Sequence, residues 1–285
     1  MLRFWRVRVL TGAHPLTRRG RWTGLAAFAL WALGPTRLAG QLAVDQAELF
    51  LQPQAASASA ASFNVRNESD QVVEATVYLM DWDRAEDGDN RFVPSGTLPQ
   101  SCAPYLKIFP LSLRLPPGSS QMVRLGMEGT DSLAATCWSI VFVESGQGAP
   151  PPGRHIAYVM RIGVKVYITP SGLPRDGDVE AMTVDSTTAK RSHSAKDTAA
   201  APHLRVSYRN TGGVPYWVRG SVEYRRLDNS VARADSIGAF PILPGARRRF
   251  AMLVPALPAG QYVALVLLDY GGSELAAGQI LVEAR

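Results

Sequence analysis

The 285-residue chain has little of the chemistry that enzymes and metal proteins use. Its four histidines are scattered, and no H-x-x-x-H or C-x-x-C spacing offers a metal site. It also lacks a G-x-S-x-G nucleophile turn and a glycine-rich phosphate loop between a strand and a helix. We therefore predict that the chain is not an enzyme and uses no cofactor, metal or small-molecule substrate.

A cluster of acidic side chains around Trp82 has two interpretations. The cluster consists of Asp81, Asp83, Glu86, Asp87 and Asp89. Carboxylate oxygens are the ligands that calcium prefers, but the spacing does not match an EF-hand loop. A run of charges is more often a solvated face, so we predict a solvated hairpin tip here.

Excess positive charge is confined to the N-terminus. Residues 1–40 hold seven arginines and no acidic residue, while the remainder has 23 basic against 24 acidic side chains. The nearly neutral body excludes nucleic acid as a partner on electrostatic grounds. The apolar run Trp22–Gly34 is too short to cross a bilayer and suits a secretory signal. We predict a signal peptide at residues 1–40, cleaved near Gly40, and a periplasmic protein; an uncleaved membrane anchor is the alternative.

Cysteine is nearly absent, with only Cys102 and Cys137 in the chain. Both lie after the predicted signal, and an oxidising compartment favours their pairing. We therefore predict a disulfide between them, on strands that are neighbours in one sandwich. Two buried free thiols are the alternative.

The chain has no sustained apolar period of 3.6 residues, which argues against helices. Alternation with a period of two recurs instead, for example at Val73–Leu79 and at Val164–Ile168. Clusters of Gly, Pro, Asn, Asp and Ser separate these runs. Short strands divided by turns at this spacing predict an all-β chain built from sandwiches or barrels.

A pattern of strand and turn occurs twice along the chain. In the first copy a strand ends at Asn67 and a Pro-Gly turn follows at Pro116–Gly118. In the second copy the strand ends at Asn210 and the turn lies at Leu243–Gly245. Asn tolerates the left-handed conformation that turns often need, and Pro-Gly joins a fixed φ to a positive one. The repeat predicts two similar immunoglobulin-like sandwiches, with their boundary near Pro170–Pro174.

We assign the two predicted domains to residues 41–170 and 171–285. The stretch from about residue 185 to 202 is rich in Ser, Thr, Ala and Lys and has no large apolar side chain. We predict a mobile polar loop there, inserted early in the second domain.

The order and spacing of these motifs resemble those of the periplasmic pilus chaperones of the chaperone–usher pathway, the PapD-like family. The motifs that carry the resemblance are Phe63–Asn67, Leu115–Gly118 with Met122–Leu125, Ile156–Pro170, Asn210 with Val214–Val218, Leu243–Gly245 and Leu268–Gly272. The resemblance implies two immunoglobulin-like domains arranged as an L. It also implies a chaperone that lends a β-strand to incomplete pilus-like or surface subunits and hands them to an outer-membrane usher.

The segment Ile156–Ile162 is the predicted donor strand. One face of it would carry Ile156, Tyr158, Met160 and Ile162. The other face is also partly apolar, with Ala157 and Val159, which suggests a strand that serves both its own core and a partner. The resemblance implies that the first face enters the groove of the subunit. A central strand buried on both sides is the alternative.

The resemblance also implies an anchor for the subunit. Lys165 would bind the carboxylate at the C-terminus of the subunit. The family's partner arginine has no counterpart in Val44–Pro53, and Arg161 is a candidate to replace it. Arg124 matches an arginine of the family's internal ion-pair cluster, but Cys137 lies near the position of its glutamate. These departures indicate a divergent member.

A second class of function also fits tandem sandwiches. A secreted structural or adhesive protein of the cell surface could use the same fold. Such a subunit would lack its own last strand and carry a donor arm, whereas this chain has the motifs of complete strand sets. We therefore predict the chaperone first.

Overall fold

The computed structural model describes residues 42–53, 60–145, 159–185 and 202–284, which all belong to one structural unit. The predicted signal peptide lies outside the described residues, as does most of the predicted polar loop, residues 186–201. Within the described ranges, no helix is long and apolar enough to span a membrane.

The described residues form strands and two short 3-10 helices, at Ala103–Tyr105 and Thr130–Ser132. The first ten strands are β1 (Leu42–Val44), β2 (Glu48–Leu51), β3 (Ala60–Asn67), β4 (Val73–Arg84), β5 (Asn90–Pro94), β6 (Leu106–Phe109), β7 (Ser112–Leu115), β8 (Ser120–Met127), β9 (Cys137–Ser145) and β10 (Met160–Ile168). The remaining strands are β11 (Gly177–Asp185), β12 (His203–Asn210), β13 (Tyr216–Arg226), β14 (Val231–Ile242), β15 (Arg247–Leu253), β16 (Gly260–Asp269) and β17 (Ala276–Ala284).

The strands form four sheets in two successive pairs. The first pair has the orders β1-β3-β8-β6 and β2-β10-β9-β4-β5, with β7 also paired to β4. The second pair has the orders β11-β12-β15 and β14-β13-β16-β17. No sheet mixes strands from before residue 169 with strands from after residue 176. The prediction of an all-β chain with two sandwiches in tandem is confirmed.

Each sandwich encloses its own apolar core, because side chains on a strand alternate between two faces. In the first core Phe63, Val65, Val123 and Leu125 are fully buried where β3 pairs with β8. In the second core the corresponding strands β12 and β15 contribute Leu204, Val206 and Tyr208, with Phe250 packed against them. Burial of such a side chain stabilises the fold by about 1.5–3 kcal/mol.

The two repeated asparagines close the same kind of turn in both sandwiches. Asn67 is fully buried, and its Nδ2 donates to the carbonyl of Gln71 at 2.7 Å. Asn210 is also fully buried and donates in the same way to the carbonyl of Val214 at 2.9 Å. Neither asparagine has a positive φ, so our expectation of a left-handed backbone was wrong. Their side-chain amides, which replace main-chain partners in the turn, are the reason for asparagine here.

The predicted disulfide between Cys102 and Cys137 is confirmed, with the two Cα atoms 5.1 Å apart. Cys137 begins β9, but Cys102 lies just before the first 3-10 helix and not on a strand, contrary to our expectation. The bond joins residues with a sequence separation of 35. By restricting the unfolded chain, a loop of this length stabilises the folded state by about 3–4 kcal/mol on the chain-entropy account.

We predicted that Asp81 lies in a solvated hairpin tip. This prediction is wrong, because Asp81 is fully buried. Its Oδ2 accepts hydrogen bonds from the amides of Thr97 and Leu98 at 2.8 and 2.9 Å. Its Oδ1 accepts from the hydroxyls of Ser101 at 2.6 Å and Ser139 at 3.3 Å. The carboxylate therefore holds the loop that leads to Cys102 against β9.

We expect Asp81→Asn to lower the free energy of unfolding by about 3 kcal/mol, because an amide cannot accept from donors on both of its ends. Urea denaturation followed by circular dichroism measures this change. Asp70→Asn, at an exposed carboxylate in the turn after Asn67, is the matched control and should change stability by less than about 0.5 kcal/mol. Equal midpoints for the two variants would contradict the role of Asp81.

Candidate polypeptide-binding site

Strand β10 has one edge that is only half paired. It pairs with β9 along its whole length, from Met160 to Ile168. On its other edge the parallel strand β2 pairs with Lys165 to Ile168 alone. In the part of the chain that the structure describes, no strand pairs with this edge ahead of Lys165.

The main-chain groups that face the unpaired edge follow from the alternation of the strand. The amides of Lys165 and Thr169 donate to carbonyls on the β2 side, both at 2.9 Å. The pairing of β10 with β9 continues without a bulge, so residues two apart face the same side. Arg161 and Gly163 therefore direct their N–H and C=O groups toward the unpaired edge.

One face of β10 joins the first core. Val164, Val166 and Ile168 are buried there, and Met160 and Ile162 are partly buried against the same core. The structure thus brings together two of the four residues predicted for the donor strand. The other two, Ile156 and Tyr158, lie outside the described residues.

The opposite face of this sheet carries a second apolar layer that the sequence analysis did not identify. Its buried members are Trp82, Trp138, Ile140, Phe142 and Tyr167, with Leu243 from the second sandwich. The indole Nε1 of Trp138 donates to the carbonyl of Trp82 at 2.9 Å. The continuous apolar run Ile140–Val143 was the available signal, because such a run is typical of a strand buried on both faces.

Gly163 is needed where this layer crosses β10. A Cβ atom at this position would lie 2.5 Å from Cδ1 of Ile140 and 3.0 Å from Cε1 of Phe142. The absence of a side chain therefore lets two side chains of β9 lie over the backbone of β10.

Lys165 is not a free cation. Its Nζ lies 3.3 Å from Oε1 of Glu48, the residue directly opposite on β2, and 4.9 Å from the centre of the Trp82 ring. Both side chains are largely buried, with 19% and 23% of their surface exposed. Strand β2 thus presents a carboxylate within Val44–Pro53, the segment where the resemblance implies an arginine.

Arg84 is a second cation beside the same indole ring. Its guanidinium carbon lies 5.5 Å from the centre of the Trp82 ring, and Nη1 donates to the carbonyl of Pro241 at 3.5 Å. Burial lowers the pKa of Arg84, and the charge of Glu48 acts in the opposite direction. Sequence reasoning missed Arg84 because β4 and β10 are separated in the sheet by β9.

The other predicted site residues lie apart from Lys165. Arg161 pairs with Glu144 at 3.0 Å and lies over the ring of Phe142 at 5.1 Å. Arg124 is exposed on β8 and has no ion pair among the described residues, and Cys137 is in the disulfide. The structure therefore does not bring Arg161 or Arg124 to Lys165.

Comparisons with known proteins give structural likeness only. No family model matches the chain, and no curated protein matches its sequence. One similar solved structure is titled as the class 5 fimbriae chaperone CfaA, with 14% identity, a TM-score of 0.47 and coverage of 86% of this chain and 99% of that one. The E. coli chaperone DraB is 16% identical, with a TM-score of 0.40 and coverage of 85% and 97%.

A third similar structure is a pre-assembly complex of the chaperone CsuC with the tip subunit CsuE from Csu pili of Acinetobacter baumannii. The identity is 11%, the TM-score 0.41, and the match covers 75% of this chain and 91% of that one. All three are described as chaperones, one of them of fimbriae and one of pili. Because the identities and TM-scores are this low, the argument for a function must rest on the residues of this chain.

We expect Gly163→Val to lower the free energy of unfolding by about 1–3 kcal/mol, because the new side chain must displace Ile140 and Phe142. Gly126→Val on β8 is the matched control, since a Cβ there meets its nearest atom, on Lys107, at 3.9 Å. Thermal melting of the two variants measures the difference. A midpoint for Gly163→Val at or above that of the control would contradict the contact.

Proposed function

We propose that this chain is a periplasmic chaperone without enzyme activity, which caps incomplete pilus-like or surface subunits by lending them the edge of β10. It would then hand each subunit to an outer-membrane usher. The observation that carries the proposal is the unpaired edge at Arg161 and Gly163. A strand edge of this kind can pair with an extended segment of another chain through main-chain hydrogen bonds.

An unpaired edge is normally a liability, because it promotes aggregation through strand pairing. Here the edge is short, and the Arg161–Glu144 ion pair lies on the sheet face beside it. Charged side chains near an edge disfavour pairing with another copy of the same chain. An edge protected against self-association in this way can still pair with a specific partner.

The donor face would consist of Ile156, Tyr158, Met160 and Ile162, as the sequence predicts. Because Met160 and Ile162 already contact the first core, the strand would serve its own sandwich at one end and the subunit at the other. Lys165 would contact the terminal carboxylate of the subunit. The signal peptide at residues 1–40 and the domain limits of 41–170 and 171–285 remain part of this proposal.

The chaperone binds in a one-to-one complex, whereas an adhesive or structural protein of the cell surface would polymerise through its own edge. Co-expression of the full chain with a small exported protein encoded beside its gene separates the two. The chaperone proposal expects a stable heterodimer on size-exclusion chromatography. Polymers of the chain alone would support the structural protein and contradict the chaperone.

Arg161→Pro should weaken capture of that exported protein by roughly tenfold or more, because proline removes the N–H that faces the unpaired edge. Binding is measured by titration of the purified partner. Arg161→Ala is the matched control, since it also loses the ion pair with Glu144 but keeps the N–H. The pair is half exposed, so its loss alone should cost at most about 1 kcal/mol.

Both Arg161 variants should melt near the wild-type temperature, because this N–H has no partner strand among the described residues. Equal capture by the proline and alanine variants would show that the edge is not used.

Tyr158→Asp should abolish capture and leave the thermal midpoint of the free protein nearly unchanged, because the proposal gives Tyr158 a contact only with the subunit. Met160→Asp should abolish capture and also lower the midpoint, since Met160 packs against the first core and a buried carboxylate costs several kcal/mol. Melting and co-purification of both variants test this. Capture at the wild-type yield by Tyr158→Asp would contradict the donor face.

A further inference from the structure

Strand β15 has an open edge of its own, on the second sandwich. It pairs with β12 along its length without a bulge, and among the described residues no strand pairs with its other side. The amide of Val254 and the carbonyl of Ala246 both form hydrogen bonds on the β12 side. Because main-chain groups alternate along a regular strand, Arg249, Ala251 and Leu253 direct theirs toward the open edge.

The chain's own hairpin already occupies one end of this edge. The carbonyl of Glu86, in the turn between β4 and β5, accepts from the amide of Arg249 at 2.7 Å. The Glu86 carboxylate lies 2.9 Å from Nε of Arg249 and 3.4 Å from Nη1 of Arg247. Beyond this contact Ala251 and Leu253 are exposed, and no described strand bonds to their outward main-chain groups. The occupied end shows which chemistry the edge accepts: a main-chain carbonyl together with a carboxylate.

The side chains around this edge favour an acidic partner. Strand β15 carries three arginines and β12 carries two, and neither strand has an acidic residue. The acidic residues of the same sheet lie on β11, away from the open edge. An added strand would therefore meet arginines first, and opposite charges on neighbouring strands attract each other.

A groove of about 1180 Å³ lies over the arginine-bearing face of this sheet and is bounded by the hairpin. Four arginines line it against three acidic residues, and none of its lining residues belongs to β2 or β10. Side chains on one face of a strand added to β15 would enter this groove. Ala251 lies directly opposite Arg205 on β12, and its small side chain does not separate the added strand from that guanidinium.

The same charges disfavour a second copy of the chain as the occupant. Two β15 edges side by side would bring three arginines from each copy together, and like charges on neighbouring strands are destabilising. An extended segment of opposite charge from another protein has no such cost.

We propose that the edge of β15 is a second strand-binding site, which accepts a short, extended, acidic segment of a partner polypeptide next to the Glu86 hairpin. The backbone of the segment pairs with Ala251 and Leu253, and its carboxylates face Arg249 and Arg205 across the groove. The proposal does not depend on capture at β10, because that edge belongs to the first sandwich.

Short peptides test the edge on the full exported chain. The probe is acetyl-Glu-Val-Glu-Val-Glu-amide, and the charge control is acetyl-Lys-Val-Lys-Val-Lys-amide. For so short a segment we expect a dissociation constant of roughly 0.1–1 mM, measured from the ¹H–¹⁵N resonances of Ala251 and Leu253. The lysine peptide should leave both resonances unchanged. No shift of either resonance at roughly 10 mM acidic peptide would overturn the proposal.

Two N-methylated forms of the acidic peptide separate strand pairing from attraction by charge alone. One form carries a methyl group on both valine nitrogens, and the other carries one on the nitrogen of the central glutamate. Because the N–H groups of successive residues point to opposite sides of a strand, only the form that is methylated on the side facing β15 should lose binding. Undiminished binding of both forms would show that the backbone is not recognised and would contradict the site.

Variants of Ala251 test the same main-chain contact from the side of the protein. Ala251→Pro removes an N–H that has no partner strand, so an edge position tolerates it, and peptide binding should weaken by roughly tenfold. Ala251→Gly is the matched control, since it keeps the N–H, and it should bind like the wild type. Equal binding by the two variants would overturn the proposal. Should Ala251→Pro fail to fold, the methylated peptides still decide.

The charge preference is tested in the same titration. Arg249→Gln should weaken binding of the acidic peptide by roughly threefold, as expected for a partly exposed cation. Arg219→Gln is the matched control, because it removes an exposed arginine that pairs with Asp269 on the other sheet of the second sandwich, and it should not change the affinity. Equal loss of affinity in both variants would indicate a response to overall charge and would contradict a site at β15.

Discussion

The unbroken register between β10 and β9 is the constraint on which the site depends. Because it has no bulge, every second residue of β10 faces the first core and the residues between them face the aromatic layer. The same alternation fixes which peptide groups point at the unpaired edge. A slip of one residue would place Lys165 in the core and Val164 beside Trp82, so core packing and the position of the cation cannot vary independently.

The aromatic layer connects this strand to the second sandwich. Leu243 packs on the layer, and Arg84 reaches the carbonyl of Pro241. Thr136 donates to the carbonyl of Gly213 at 2.6 Å, and the amide of Arg249 donates to the carbonyl of Glu86 at 2.7 Å. These main-chain acceptors hold the two sandwiches together while leaving the edge of β10 uncovered by any described strand. A narrow cleft beside Glu48 exists only because both sandwiches contribute to its walls.

The fold class could be predicted from the sequence because alternation of burial is a local property, and the disulfide because only two cysteines are available. The site could be predicted only in part. Asp81 receives its hydrogen bonds from residues 16 to 58 positions away, and Glu48 pairs with Lys165 across 117 positions. No local pattern reports such contacts. The sequence shows that Val44–Pro53 has no basic residue, but it could not show that Glu48 of this segment would reach Lys165.

The ion pair of Lys165 and Glu48 fixes the position of the lysine more than it stabilises the fold. A partly buried ion pair adds little net free energy, because the cost of removing both charges from water offsets their attraction. Without Glu48, the cations Lys165 and Arg84 would lie over one indole ring with no carboxylate beside Lys165, so Glu48 sets the charge balance at this place.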